Sequence, residues 1–255
     1  MSVKAPVRWV THRLNGAFVV RGSYLGSRYA PLAISWPIAH AGAWLVGHGM
    51  ASVRDALVDN LRAVLPHASD AELRRRAYRT CHTYTDDWMD FMRSVSWPRE
   101  KVLERFTYEH PERLTDALAL GRGAILVTGH YGNWEAGSVM MKALGVPLTV
   151  VAMLMDRAVD RDRVPVTMFG RRVDFLGTPA LLAYLTGAPL VPMFLVRQGR
   201  GRFRALPQEP ILLDRQGDRA AQVQRTAQTV ATLLERQIAE RPECWYQFHR
   251  YWTDV

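Results

Sequence analysis

The residues with the clearest chemical potential lie in one segment, Thr128–Glu135, which is Thr-Gly-His-Tyr-Gly-Asn-Trp-Glu. A histidine with an ordinary pKa near ~6.5 is a suitable general base for a hydroxyl group, and a carboxylate behind it would fix its tautomer. His130 and Glu135 supply these groups, and Gly129 and Gly132 allow tight turns around the histidine. N–H groups of a following helix can hold an oxyanion. The pattern favours catalysis or ligand binding over a turn histidine that only hydrogen-bonds the backbone.

The spacing of this pair sets a condition on the local fold. Five residues on a regular helix correspond to about 500°, so the side chains of His130 and Glu135 would point about 140° apart. They converge only if His130 stands on a loop before the helix. Ala124–Thr128 is an apolar run typical of a buried parallel strand, and Glu135–Leu144 has a helical pattern. The segment therefore lies where open α/β sheets place their ligand sites, beyond the carboxyl end of a strand.

The second half of the chain alternates strand-like and helix-like patterns. The other predicted elements after residue 105 are helices at Pro111–Leu120, Pro179–Thr186 and Ala220–Glu240, strands at Val146–Met155 and Leu190–Val196, and a hairpin of Arg202–Leu206 with Ile211–Leu213. Pro192 implies that its strand is bulged or lies at a sheet edge. This alternation predicts an α/β fold with a mixed, mostly parallel sheet flanked by helices.

Helical signals dominate the region from residue 51 to residue 105. Ser52 can cap a helix that ends at Pro66, and Ser69 with Glu72 forms a capping box that opens a second, longer helix. Cys81 falls on the apolar stripe of that helix and is predicted to lie in the core.

The first 50 residues combine basic and apolar character. Pro31–Val46 is a mostly apolar run of 16 residues, too short to cross a bilayer, which needs ~20. It is either an interfacial segment, with Trp36 and Trp44 at the headgroup level, or a buried helix of a soluble bundle. We divide the chain into a membrane-associating segment (1–50) and a domain (51–255) with N-terminal helices (51–105) and an α/β core (106–255).

Composition restricts the classes of partner and ligand. The chain has 255 residues and a net charge of +9, and 30 of its 33 basic residues are arginine. This excess suits phosphate, an acidic membrane surface or nucleic acid, but the arginines are dispersed and form no nucleic-acid-binding module. Two cysteines and the absence of an H-E-x-x-H pattern predict neither a disulfide framework nor a zinc site.

Thr128–Glu135 resembles the H-x4-E block of the bacterial lipid A biosynthesis acyltransferases of the late lauroyl/myristoyl type, which mycobacterial phosphatidylinositol mannoside acyltransferases share. The glycerol-phosphate acyltransferases, with H-x4-D, are more distant relatives in the lysophospholipid acyltransferase superfamily. Three further stretches resemble blocks of the family, in the family's order: Leu154–Arg171, Thr178–Pro192 and Cys244–Trp252. The resemblance extends from about residue 50 to the end of the chain.

The resemblance implies an O-acyltransferase that moves a fatty acyl chain from acyl carrier protein or coenzyme A to a hydroxyl of a membrane glycolipid or phospholipid. It implies no cofactor beyond this acyl thioester co-substrate, and the residue patterns described above predict no metal and no nucleic-acid partner. His130 would be the base, Glu135 completes the motif, and Asp156 falls on the acidic block that supplies the partner carboxylate. The expected location is the cytoplasmic face of the bacterial inner membrane, against its anionic surface, as a peripheral or monotopic protein.

The same resemblance suggests substrate-binding residues. They are Asn133, inside the H-x4-E block, and four arginines that could hold phosphates of the donor or the lipid: Arg157, Arg163, Arg171 and Arg172. For each single arginine, plain surface charge is an equal alternative.

One departure from the family falls between two of its blocks. In the family, several dozen residues follow the strand at 148–151 before the acidic block, including an arginine-bearing helix that helps bind substrate. Here Val151 runs almost directly into Asp156. Either this chain has lost a βα segment, or residues are missing from the sequence at this point. The first option motivates a second hypothesis, a weakened or inactive homologue that serves as a membrane-associated structural or assembly subunit.

Overall fold

The computed structural model describes residues 17–146, 153–159 and 161–252, and helices dominate its first hundred residues. These helices are α1 (Ala17–Tyr29), α2 (Leu32–Gly49), α3 (Ala51–Val64), α4 (Asp70–Ser94), α5 (Arg99–Arg105) and α6 (Pro111–Ala119). The remaining elements are β1 (Phe106–Tyr108), β2 (Ile125–Thr128), α7 (Trp134–Leu144), β3 (Met153–Leu154), β4 (Val164–Met168), β5 (Arg171–Phe175), α8 (Thr178–Thr186), β6 (Leu190–Gly199), β7 (Arg202–Pro207), α9 (Arg219–Glu240) and a 3₁₀ turn, Pro242–Cys244.

The central sheet has five strands in the order β1-β7-β6-β2-β3. Strand β2 pairs parallel with β3 and with β6, β1 pairs parallel with β7, and only β6 and β7 pair antiparallel. The predicted mixed, mostly parallel sheet is confirmed. Most of the predicted strand Val146–Met155 lies outside the described residues, and its described part contributes β3.

Both faces of this sheet are covered because alternate residues of a strand point to opposite sides. On β6, Leu190, Phe194 and Val196 pack against α8 and α9, whereas Leu195 packs with α5 and α7 on the other face. Helices therefore flank the sheet, as predicted, and α7 starts directly behind the carboxyl end of β2.

Two predictions about this sheet are wrong. Pro192 lies in β6, the central strand, and its register irregularity is at Arg197/Gly199 instead. The carbonyl of Pro192 points past the end of β7, where it accepts from Gln208 N at 2.7 Å. The N–H that proline lacks would point the same way, so its absence costs no hydrogen bond within the paired part of β6 and β7. The hairpin partner of β7 is β6, and Ile211 instead bridges to Leu190.

Strands β4 and β5 form a separate antiparallel hairpin that the sequence analysis did not predict. Its turn places Phe169 at φ 50° and Gly170 at φ 71°. A bulky residue in the left-handed region is not a recognisable turn signal, which explains the omission.

The helix-start signals have a mixed outcome. Ser69 Oγ accepts a hydrogen bond from Glu72 N at 3.3 Å, so it caps α4 as predicted. Ser52 does not cap α3, because that helix begins one residue earlier, after Met50. Cys81 is buried, as predicted.

Helices α1 and α2 pack against α4 and leave large apolar side chains in solvent. Ile34, Ile38 and Leu45 of α2 are 56%, 67% and 64% exposed, and helical spacing places them on one face. Helix α2 therefore buries one side against the other helices and exposes an apolar side, and both alternatives for this segment stay open. Within the three described ranges, no helix combines the length and hydrophobicity needed to cross a membrane.

Candidate active site

Strand register brings the proposed base and its carboxylate together. Thr128 at the end of β2 pairs with Leu154 at the end of β3. His130 and Asp156 each lie two residues beyond these paired positions, at the same edge of the sheet. His130 Nδ1 and Asp156 Oδ1 are 2.7 Å apart, and His130 N donates to Asp156 Oδ2 at 3.0 Å.

The carboxylate of Asp156 is fully buried, whereas the His130 side chain remains 19% exposed. Burial alone would raise the pKa of Asp156, but the charge of His130 and its hydrogen bonds, helped by Arg157, lower that pKa to about 2. Asp156 is therefore ionised at neutral pH, and its Oδ1 accepts a hydrogen bond from the protonated Nδ1 of His130. This leaves Nε2 as the ring nitrogen that can take a proton from a ligand.

Two glycines allow the loop that carries His130. A Cβ on Gly129 would lie 2.6 Å from Leu234 Cδ2 and 3.2 Å from Asp156 Cγ. Gly132 has φ +63°, and a Cβ there would lie 2.1 Å from Leu195 O. His130 thus stands on a loop before α7, which meets the condition set by the spacing of the H-x4-E block.

The C-terminal segment supplies a wall of the site that the sequence analysis did not assign. Tyr246 N donates to His130 O at 2.8 Å, and Gln247 Nε2 donates to Asp156 Oδ2 at 2.8 Å. Arg157 Nε donates to Gln247 Oε1 at 2.9 Å. Gln247 is fully buried within an aromatic run, Trp245–Phe248, and no local sequence signal marks its amide as a partner of a buried carboxylate.

Glu135 lies on another side of the site, in the wall of an apolar cavity of about 260 Å³. Among the described residues that line this cavity it is the only ionisable one; the others are Phe91, Leu126, Val127, Thr128, Trp134, Gly137, Ser138, Met140, Met141, Met193 and Leu195. Burial, with a smaller contribution from Asp87, raises the pKa of Glu135 to about 7. The carboxylate that accepts from His130 is that of Asp156, and the raised pKa of Glu135 favours its neutral form more than in an ordinary carboxyl group.

Asn133 is buried and its amide is occupied within the protein. Its oxygen caps α7 by accepting from Ala136 N at 3.2 Å, and its nitrogen donates to Asp87 O at 2.7 Å. The N–H groups of Gly132 and Asn133 donate to the carbonyls of Cys244 and Leu195. These contacts fix the loop, and they leave neither the Asn133 side chain nor these two N–H groups open for a substrate or an oxyanion.

A buried carboxylate on α4 ties this loop to the C-terminal segment. Tyr246 Oη donates to Asp87 Oδ2 at 2.5 Å, and Arg197 Nε lies 3.4 Å from Asp87 Oδ1. Burial raises the pKa of Asp87 to about 7, against the lowering effect of Tyr246 and Arg197. The site is therefore built from four parts of the chain: α4, the β2–α7 loop, the residues after β3, and residues 244–247.

The four candidate arginines fall into two groups. Arg157 is adjacent to Asp156, and besides Gln247 it reaches Tyr246 O at 3.1 Å, so part of its guanidinium is engaged in the scaffold. Arg163, Arg171 and Arg172 lie at the ends of β4 and β5, where Arg163 pairs with Asp174 at 3.4 Å and Arg171 stacks 5.9 Å from the Trp252 ring. The structure does not bring these three into hydrogen bonds with the His130–Asp156 pair.

In the described part of the chain, no group of three or more His, Cys, Asp or Glu side chains is placed so that it could hold a metal ion.

Known proteins that are similar to this chain include acyltransferases. Two curated relatives, the phosphatidylinositol mannoside acyltransferases of Mycobacterium tuberculosis strains CDC 1551/Oshkosh and ATCC 25618/H37Rv, are each 23% identical to this chain over 290 residues. The alignment covers 86% of this chain and 89% of each relative. Since 290 exceeds the 255 residues of the chain, the relatives contain residues with no counterpart here.

A family model also matches nearly the whole chain. The model is that of the bacterial lipid A biosynthesis acyltransferases, and it matches residues 5–153 and 148–254. The two matches overlap at 148–153, the stretch in which the sequence analysis expects a shortened connection. The chain therefore belongs to the bacterial lipid A biosynthesis acyltransferase family.

Proposed function

We propose that this acyltransferase transfers a fatty acyl chain from an acyl thioester, carried by acyl carrier protein or coenzyme A, to a hydroxyl group of a membrane glycolipid or phospholipid. The observation that carries the proposal is the His130–Asp156 hydrogen bond of 2.7 Å at the carboxyl end of β2 and β3. The family membership supplies the reaction class, and the pair supplies a base suited to it.

The proposed reaction uses His130 in two steps. Nε2 takes the proton of the acceptor hydroxyl as its oxygen attacks the thioester carbonyl carbon, and Asp156 stabilises the imidazolium through Nδ1. The tetrahedral intermediate then breaks its C–S bond, and the thiolate leaves with the proton from the imidazolium. The products are an ester and a free thiol, and His130 is neutral again.

The cavity beside Glu135 suits the acyl end of the donor. Its lining consists mainly of Met, Leu, Val, Phe and Trp side chains, which an alkyl chain can contact without leaving polar groups unpaired. In its neutral form Glu135 would donate a hydrogen bond to the thioester group, which gives the last residue of the H-x4-E block a role separate from that of Asp156.

The first 50 residues are proposed to hold the enzyme on the cytoplasmic face of the bacterial inner membrane. Support comes from the exposed side of α2, and from Tyr29 and Leu25 of α1, which are 72% and 44% exposed. Amphipathic helices with aromatic side chains insert apolar faces into the interface, and arginines add attraction to anionic lipid. The net charge of +9 agrees with this arrangement.

Turnover by a histidine variant tests the proposed reaction. Wild-type chain is assayed with acyl carrier protein and coenzyme A thioesters against a panel of lipid acceptors, followed by His130→Ala and the control His67→Ala, an exposed histidine between α3 and α4. We expect His130→Ala to fold normally and to lose transfer, while His67→Ala retains it. Full turnover by His130→Ala would overturn the general-base role.

The same panel separates the second hypothesis from the first. Suppose that a wild-type chain has the intact mass of 29.0 kDa and transfers no acyl group from any donor. This result would favour the hypothesis of a structural or assembly subunit. A larger intact mass would show that residues are missing from the sequence.

Vesicle binding tests the membrane proposal. Ile38→Glu/Leu45→Glu should weaken sedimentation with anionic liposomes, whereas Leu212→Glu, at a leucine that is 60% exposed in the α/β core, should not. Binding by wild type should also fall with added salt. Equal binding by all three proteins would contradict the role of α2.

A further inference from the structure

The side chain of Gln247 lies between the guanidinium of Arg157 and the carboxylate of Asp156. Its Nε2 donates to Asp156 Oδ2 at 2.8 Å and its Oε1 accepts from Arg157 Nε at 2.9 Å. The side chain is completely buried. Both ends of the amide are therefore engaged, one with the carboxylate of Asp156 and the other with the guanidinium of Arg157.

An amide is suited to this position because it donates and accepts at the same time. If Arg157 bonded Asp156 directly, a charge-assisted pair would compete with the imidazolium for the carboxylate. With Gln247 interposed, Oδ1 of Asp156 remains available to His130 Nδ1, and Oδ2 is held by two neutral donors, His130 N and Gln247 Nε2.

The backbone of Gln247 is held as firmly as its side chain. Asn60, a buried residue of α3, donates from Nδ2 to Gln247 O at 2.9 Å. On the other side, Tyr246 N donates to His130 O. Residues 246 and 247 thus contact both members of the pair, so a displacement of this segment would displace the base.

We propose that Gln247 is a positioning residue for general-base catalysis, which holds Asp156 in the orientation that His130 requires and shields it from Arg157. This inference rests on the proposed function of the His130–Asp156 pair. Four other titratable groups around the pair interact electrostatically with it, with Arg157 or with one another. They are Tyr84 of α4, Glu135 of α7, and His249 and Tyr251 of the C-terminal segment.

Two substitutions test this role in the full-length protein. Gln247→Met keeps the length of the side chain and removes both hydrogen bonds, so Arg157 is no longer kept from Asp156 and competes with the imidazolium for the carboxylate. Gln247→Glu engages Arg157 and adds negative charge beside Asp156. The acid limb of the pH profile of kcat/KM should therefore move down by about 0.5–1 unit in Gln247→Met and up by about 0.5–1 unit in Gln247→Glu.

The rate should fall as well, by about 10- to 100-fold in kcat with KM within about threefold, because the base is less well oriented. The matched control is Gln228→Met on α9, whose amide is also engaged at both ends: it accepts from Thr167 N and donates to Thr167 O and Thr232 Oγ1. It should leave the pH profile unchanged. NMR titration of the His130 ring in the same variants follows the proton without requiring turnover.

Two results would overturn the role of Gln247. Loss of rate with an unmoved acid limb and an unmoved ring titration would overturn the proposal, since it would leave Gln247 a purely structural role. Failure of both variants to fold would overturn it in the same way. If His130→Ala retained turnover, the proposed function would fail, while the ring titration would still test the link from Gln247 to His130.

Discussion

Replacing Asp156 by asparagine changes one atom type in the centre of the site and reverses one hydrogen bond. The present carboxylate accepts three bonds: from His130 Nδ1 at 2.7 Å, from His130 N at 3.0 Å and from Gln247 Nε2 at 2.8 Å. An asparagine oxygen can satisfy the last two donors only in the position of Oδ2. Its NH₂ group then faces Nδ1 and donates to it.

This reversal fixes the wrong tautomer of the base. With Nδ1 as acceptor, the neutral ring carries its proton on Nε2, where the acceptor hydroxyl must deliver its own proton. A comparable tautomer reversal in a serine protease lowers kcat by about 10⁴. We expect a loss of the same order for Asp156→Asn, with KM for the thioester changed by less than about threefold.

The effect on stability has a defined pH range. The pKa of Asp156 is lowered from its ordinary 3.8 to about 2 in the folded chain. The ionised carboxylate therefore stabilises the fold by about 2 kcal/mol above pH 4, and this contribution is lost as the pH falls from about 4 to about 2. Asp156→Asn should lack this part of the acid dependence of the unfolding free energy.

The assays are steady-state acyl transfer, urea unfolding between pH 2 and 7, and ¹⁵N chemical shifts of the His130 ring. Asp174→Asn, a half-buried carboxylate on β5, is the matched control and should behave as wild type in transfer. Activity of Asp156→Asn within tenfold of wild type would refute the reasoning. So would a ring that still carries its proton on Nδ1.

Three other changes follow from the same geometry. Glu135→Gln imitates the neutral acid, so it should keep kcat within about threefold and remove any decline in activity above pH 7, where the pKa of about 7 makes wild-type Glu135 ionise; a loss beyond 100-fold would show that the carboxylate itself is required. Gly132→Ala should destabilise the fold by more than about 2 kcal/mol in urea unfolding, because φ is +63° and a Cβ would meet Leu195 O at 2.1 Å, whereas Gly137→Ala, with no atom within 4 Å, should be neutral or stabilising. Asn60→Ala removes bonds to Gln247 O, His249 O and Tyr251 N and should cost about 3 kcal/mol; a change under 1 kcal/mol would show that the C-terminal segment is held by other contacts.

Sequence patterns predicted the local parts of this site and not its tertiary closure. The apolar run 124–128, the two glycines and the helical pattern after Trp134 fix the β2–α7 loop, because each is a property of neighbouring residues. Asp156 was reached only through the resemblance to a family, since β3 has two residues and carries no periodicity of its own. Its distance to His130 depends on the register of two parallel strands.

The remaining wall could not be predicted because its contacts join distant residues. Gln247 and Asp156 are 91 positions apart, and Asn60 and Gln247 are 187 apart. Nothing local marks an amide inside an aromatic run as a partner of a buried carboxylate. The same reason explains Asn133, whose place in the motif suggested a substrate contact, whereas the fold directs its amide to α4 and α7.

The shortened connection before β3 affects the two halves of the proposed mechanism differently. The His130–Asp156 pair depends on the pairing of Thr128 with Leu154, and that pairing is present although the family model matches in two pieces that overlap at 148–153. Proton transfer therefore retains its geometry.

In the family this connection carries an arginine-bearing helix that helps bind substrate, so a true deletion would remove binding contacts while leaving the base assembled. A chain of intact mass 29.0 kDa should then show a raised KM for the proposed thioester donor or lipid acceptor rather than a lowered kcat. The opposite result, a normal KM with a kcat near zero, would place the defect in the assembled pair and contradict this separation.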